Sequence, residues 1–219
     1  DMYGGYVWIA VFCFTVQLYA DFSGLMDIVL GISECFGLRL PENFSTPFFS
    51  QTISELWRRW HITLGVWFKE YVFYPIMRTK VYLRMNSALN NKLGKKTGKR
   101  LSTYAAMLVL WLTVGLWHGG DLSFVIGSGL LQWLYIVLED VLEAPFKKMW
   151  KRLNIDPAHN VLKGVRMVRT FVLFSISMVF FRADNVSDAV HLIRCGFTKH
   201  ISGLNGVIPE ALALIGANG

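Results

Sequence analysis

Charge is what this chain of 219 residues has least of: Asp, Glu, Lys and Arg make up 17% of it, against roughly 25% in a soluble domain. That shortage excludes an ordinary water-soluble fold. Cysteine is scarce too. Cys13, Cys35 and Cys195 are scattered with no CxxC spacing, which excludes a zinc ribbon or a disulfide framework and leaves no metal site to expect. Acids are absent altogether between Arg78 and Arg100. No secretory signal pattern is visible, and no internal repeat marks a solenoid. The chain opens at Asp1 and stops just after another apolar stretch, so it reads as part of a longer protein.

Apolar blocks are what the chain has instead, with 53% hydrophobic and 15% aromatic residues. Leu101–Trp117 and Leu122–Leu138 carry no charge, and Val168–Phe181 is interrupted only by Arg169. About 17–25 such residues cross a bilayer as a helix. The net charge of +7 gathers in two places. One holds Arg78, Lys80, Arg84, Lys92, Lys95, Lys96, Lys99 and Arg100; the other holds Lys147, Lys148, Lys151, Arg152, Lys163, Arg166 and Arg169. Basic clusters suit nucleic acid, but clusters that flank membrane spans are retained in the cytoplasm. Two spans separate them, and an even number of crossings returns the chain to the same side. Both are expected to be cytoplasmic loops, with the turn at His118–Asp121 directed outward.

Tyr6–Leu38 reads as one helix too long for a perpendicular crossing, yet it contains Gln17, Asp21, Asp27 and Glu34. Gln17, Asp21 and Gly24 share a face by helical spacing. Intramembrane acids usually face a bundle interior or cavity, although a tilted helix leaving the membrane near Asp21 explains the pattern as well. Two prolines, Pro41 and Pro47, then frame an extended stretch. Thr52 and Glu55 form a capping-box pattern. The helix they open places Trp57, Trp60, His61, Leu64, Phe68 and Tyr71 on one face, as an interfacial or re-entrant helix would. A hairpin of two spans follows over about 101–140, then a third crossing ending at Arg182. Asn185 and Asp188 can cap a short amphipathic helix.

The segment VLWLTVGLWHGGD, Val109–Asp121, raises the chemical question. An imidazole among apolar residues is held neutral, because desolvation penalises its charged form. A neutral His can take the proton of a hydroxyl as that oxygen attacks an acyl carbon. Gly119 and Gly120 would let a substrate approach the backbone closely. The residues alone leave two readings open: a general base, or a His that only hydrogen-bonds a neighbouring helix.

Taken in order, QLYADFSGLMDI, PENFSTPF, ELWRRWHITLGVWFKEYVFYP, GLWHGG and FFRAD resemble the membrane-bound O-acyltransferases, in particular their alginate O-acetyltransferase-like branch. The teichoic-acid D-alanyl transfer protein is a more distant likeness. The resemblance spans roughly residues 17–188 and implies an all-α, polytopic integral membrane protein, a partial core that further membrane helices precede and follow. It implies that His118 is the catalytic residue and that His61 stands beside the reaction chamber as a second catalytic candidate. Trp57, Trp60 and Trp117 become chamber walls, and Asp21, Asn43 and Arg58 join them as substrate-binding candidates. Arg58 and Arg59 would meet either an anionic donor or lipid phosphate. Three departures stand out: Gly65, Lys69 and Glu70 replace a frequent Ser, Arg and Asp. A further family His, thirteen residues after the first, is Leu131 here.

The function expected is transfer of an acyl group, acetyl first, from a cytoplasmic thioester to a hydroxyl of an exported or cell-wall polysaccharide. The thioester, acetyl-CoA or a carrier protein, is a co-substrate, and no tightly bound cofactor is expected. Membrane lipids, the polysaccharide and an extracytoplasmic protein that completes the transfer are the expected partners, and nucleic acid is not. The setting is a bacterial plasma membrane. The alternatives are D-alanyl transfer to teichoic acid, and a transporter or scaffold using the polar groups of residues 17–34.

Overall fold

The computed structural model describes residues 4–198, and every regular element among them is helical. Helix α1 (Gly4–Cys35) has 32 residues, roughly 48 Å at 1.5 Å per residue, well beyond the ~30 Å of a hydrocarbon core. It ends in a Schellman arrangement, with Leu38 N donating to Ser33 O and Gly37 N to Glu34 O, each at 2.9 Å. A loop and a single 3-10 turn (Pro47–Phe49) lead to two short helices, α2 (Ile53–Arg59) and α3 (Ile62–Phe68). A π turn (Lys69–Phe73) joins α3 to α4 (Tyr74–Arg78) and α5 (Lys80–Leu93). Helix α6 (Lys95–Trp117) runs to the histidine. Beyond the turn, α7 (Leu122–Phe124), a π segment (Val125–Leu130) and α8 (Leu131–Arg152) form one continuous rod. Helices α9 (Asn160–Arg182) and α10 (Val186–Thr198) complete the described chain.

Among the described residues, four helical stretches are long and apolar enough to cross a membrane: Gly4–Cys35, Lys95–Trp117, Leu122–Arg152 and Asn160–Arg182. They coincide with the four apolar blocks of the sequence. The basic regions differ from expectation, because they are largely helical: the first is broken only at Thr79 and Gly94, and the second has a loop only over residues 153–159. Thr79 caps α5 by accepting a hydrogen bond from Tyr82 N at 3.2 Å, and Gly94 alone separates α5 from α6. Helix α8 likewise continues through Pro145 to Arg152, where a span ending near residue 140 was expected. Lys, Arg, Leu and Met are all good helix formers, and Glu143 pairs with Lys147 one turn on at 2.6 Å. Hydropathy therefore marks where the chain leaves the apolar phase, not where the helix stops.

The bundle is tied tightly where α6 meets the π segment. A Cβ on Gly115 would come within 2.7 Å of Val125 Cα, and one on Gly127 within 2.6 Å of Phe180 Cβ. Small residues let membrane helices approach this closely, trading side-chain bulk for backbone packing. Helix α2 is enclosed rather than lying on a surface: Ile53, Leu56 and Trp60 pack with Phe174 and Met178 of α9 and with Phe14, Leu18 and Tyr19 of α1. Its first turn is held by Glu139 of α8, whose carboxylate accepts from Ile53 N at 2.9 Å and from Arg169 of α9 at 2.8 Å. The next residue of α8, Asp140, pairs with Arg100 at 2.7 Å and with Tyr104. That contact sets the basic start of α6 beside the basic end of α8. His118 lies at the opposite end, against the penultimate residue of α9, Phe181, at 5.1 Å between rings.

Candidate active site

His118 terminates α6. Its backbone N still donates to Val114 O at 3.1 Å, and Gly119 N closes the last turn on Leu116 O at 3.2 Å. The chain then reverses. Gly120 sits at φ +80, a left-handed conformation that L side chains rarely adopt. A Cβ on Gly119 would lie 3.0 Å from Phe124 Cε2. The two glycines thus build the turn that starts α7 at Leu122, a more immediate need than admitting substrate to the backbone.

The imidazole of His118 is half-buried among rings: Trp117 at 4.8 Å, Phe181 at 5.1 Å and Phe124 at 6.4 Å between centroids. Among the described residues its side chain makes no hydrogen bond. A histidine that merely clips one helix to another would show a partner; this one leaves its nitrogens available.

His61 reaches the same place by a different route. The expected continuous aromatic helix is broken here. Trp60 is extended (φ −110, ψ 126) and His61 left-handed (φ 45, ψ 55), so α2 stops at Arg59 and α3 restarts at Ile62. The break is held from outside the helix. Ser45 N donates to Arg59 O and Ile62 N to Asn43 O, both at 2.9 Å. Asn43 Oδ1 also meets His61 Nδ1 at 3.0 Å, Thr63 Oγ1 at 2.6 Å and Thr63 N at 3.3 Å. Non-glycine residues held in such conformations cluster at functional sites. Tyr71, expected on the shared face, is instead exposed and stacked on Trp67 at 5.4 Å.

Both histidines line one cavity of about 730 Å³, within the usual ~300–1,000 Å³ of ligand sites. Its walls come from α1 (Leu18, Phe22), α2 (Trp57) and the break after it (Trp60), α3 (Leu64, Phe68), α6 (Trp111, Trp117) and α9 (Phe174, Met178). Helix α8 adds Ile136, and the π segment Ser128. Trp57, Trp60 and Trp117 all line it. Arg58 and Lys69 are exposed residues that also line it, and neither forms an ion pair with a described residue. Arg59 is not part of the lining: it pairs with Glu55 at 2.8 Å and donates to Thr46 Oγ1 at 3.3 Å. Asp21 is exposed on α1, which turns Leu18 and Phe22 rather than the acid toward the cavity. Asn43 lies behind His61 and is buried.

Gln132 does not line the cavity but holds one of its walls, and no motif in the sequence points to it. It is fully buried on α8. Its Oε1 accepts from Trp57 Nε1 at 3.0 Å while its Nε2 donates to Ser177 Oγ at 2.6 Å. The available signal was a lone amide inside the apolar run LLQWLY. A buried amide in such a run needs partners on neighbouring helices.

Comparison with known proteins shows the family. The family model described as "MBOAT, membrane-bound O-acyltransferase family" matches residues 2–89. A probable alginate O-acetylase of Pseudomonas aeruginosa is 32% identical over 204 residues, covering 92% of this chain and 34% of that protein. A peptidoglycan O-acetyltransferase of Helicobacter pylori is 31% identical over 200 residues, covering 91% of this chain and 32% of that protein. A teichoic acid D-alanyltransferase of Bacillus subtilis is 30% identical over 113 residues, covering 52% and 26%. The chain spans about a third of the length of the first two relatives. With the five ordered motifs, the helical membrane architecture and the paired histidines in one chamber, this chain belongs to the membrane-bound O-acyltransferase family.

Proposed function

We propose that this chain carries the histidine-bearing core of an O-acyltransferase that moves an acyl group, acetyl in the first instance, from a thioester to a hydroxyl of an exported or cell-wall polysaccharide. The observation that carries this reading is the His118 ring, which lines the cavity without a hydrogen-bond partner among the described residues. In the reaction, the acceptor oxygen attacks the acyl carbon while His118 takes its proton. The carbon–sulfur bond then breaks, and the thiolate recovers that proton from the imidazolium. Aromatic walls keep water from the activated acyl group. Arg58 and Lys69, at the cavity lining with no ion-pair partner among the described residues, suit an anionic donor such as acetyl-CoA or a carrier-protein thioester. The thioester is a co-substrate, and no resident cofactor is needed.

The basic end of the bundle is the cytoplasmic side in this reading. Donor arrives from there, acceptor from the opposite face, and an extracytoplasmic protein completes delivery to the glycan. The protein is then multi-pass in a bacterial plasma membrane. D-alanyl transfer to teichoic acid is the second reading, favoured by the similarity to the Bacillus subtilis protein. A transport path along α1 has less support, because Gln17, Asp21, Asp27 and Glu34 are all exposed on that helix, away from the shared cavity.

The test uses the full-length protein in membranes supplied with labelled acetyl thioester and glycan. Label should become alkali-releasable from the glycan with the wild type and not with His118→Ala. Equal release by both would refute the reading.

A further inference from the structure

Asn43 Oδ1 faces three groups at once: His61 Nδ1 at 3.0 Å, Thr63 Oγ1 at 2.6 Å and the backbone N of Thr63 at 3.3 Å. A backbone N–H can only donate, so the amide must turn its oxygen, not its NH2, toward this cluster. An oxygen cannot donate. The ring nitrogen beside it must therefore carry the hydrogen, which fixes His61 as the Nδ1–H tautomer. Neutral imidazole has one donor and one acceptor nitrogen, so Nε2 keeps its lone pair. Asn43 is only 4% exposed and does not line the cavity, whereas His61 does. The left-handed backbone at His61 and the pairing of Ile62 N with Asn43 O hold the ring's base against this amide.

We propose that Asn43 is a positioning residue, which locks His61 so that Nε2 is presented to the chamber as an acceptor for a hydroxyl or amide hydrogen of the substrate. The hydrogen bond made by one ring nitrogen commonly sets a histidine's tautomer in this way. His61 then orients a hydrogen-bond donor for attack and does not stabilise an oxyanion, since that would require a hydrogen on Nε2. The role rests on the acyl-transfer reading above, but the tautomer itself does not.

Two measurements test it on the full-length protein. Nitrogen-15 spectra of ring-labelled wild type in lipid, with the His61 signals assigned by their loss in His61→Ala, read the tautomer directly. A protonated Nδ1 with a bare Nε2 is expected; a protonated Nε2 would overturn the proposal while leaving the role of His118 untouched. Steady-state kinetics supply the second. Asn43→Leu should lower kcat by about 10-fold or more, as misplacement of a positioned group does, with little change in KM for the thioester. In the His61→Ala background the same substitution should add no further loss, because the two act as one unit. Additive losses, or a loss confined to KM, would contradict it. If Asn43→Leu does not insert, the wild-type spectrum decides alone.

Discussion

His118 and His61 share a chamber but are held in opposite ways, and that difference sets what each substitution should do. The His118 ring packs against Trp117 and Phe181 and has no hydrogen-bond partner among the described residues, which leaves its nitrogens free for substrate. His61 has one nitrogen committed to Asn43 and one to offer. A group that orients a reactant contributes part of the transition-state stabilisation, whereas the base is needed for the proton transfer itself. His61→Ala should therefore reduce acyl transfer by up to about 10²-fold, yet leave more activity than His118→Ala does. Wild-type rates from a well-inserted His61→Ala protein, measured by label transfer, would make His61 an ordinary buried residue. Both histidines were legible in the sequence from their motifs and apolar settings. The partnership of His61 with Asn43 was not, because the two are 18 positions apart and no local pattern links a loop amide to a helix break.

At the scale of elements, α2 depends on contacts from other helices. It has seven residues, too few for stability alone, and is held by Glu139 at its start, Gln132 through Trp57, and Asn43 just past its end. Replacing Gln132 with Leu strands Trp57 Nε1 inside the bundle, and an unsatisfied buried donor costs about 1–3 kcal/mol. Thermal unfolding of the solubilised protein should show that loss. The double variant Trp57→Phe with Gln132→Leu should recover part of it, since removing both partners leaves nothing unsatisfied. No destabilisation by Gln132→Leu would mean the amide is dispensable. Apolar periodicity runs unbroken from Trp57 to Phe68, so the sequence suggested one helix. The break at Trp60–His61 comes from hydrogen bonds supplied by Asn43 and Ser45, which periodicity does not register. The caps behaved otherwise. Thr52 Oγ1 accepts from Glu55 N at 3.0 Å, and Glu55 reaches back to Gln51 N at 2.8 Å, because a cap is decided within four residues. Asn185 and Asp188 cap α10 equally locally, at 2.9 Å.

For the whole molecule, the four membrane-length helices were readable from hydropathy, and the cavity between them was not. Its lining is drawn from six helices and both π segments, and no stretch of sequence contains it. The placement of Arg100 beside Asp140, and of Arg166 over the Trp150 ring at 4.7 Å, brings the two basic regions to one end. Single cysteines introduced across Arg78–Arg100 and Lys147–Arg166 should resist a membrane-impermeant thiol reagent in intact cells. Ready labelling in either region would reverse the orientation. The most direct measurement concerns His118 itself, through His118→Gln in the full-length, membrane-inserted protein. Glutamine keeps much of the size and a hydrogen-bonding capacity but cannot take a proton near neutral pH. Acyl transfer should fall by roughly 10²–10⁴-fold, as loss of a general base does, with insertion and folding retained. Near-normal transfer by that variant would contradict proton abstraction by His118.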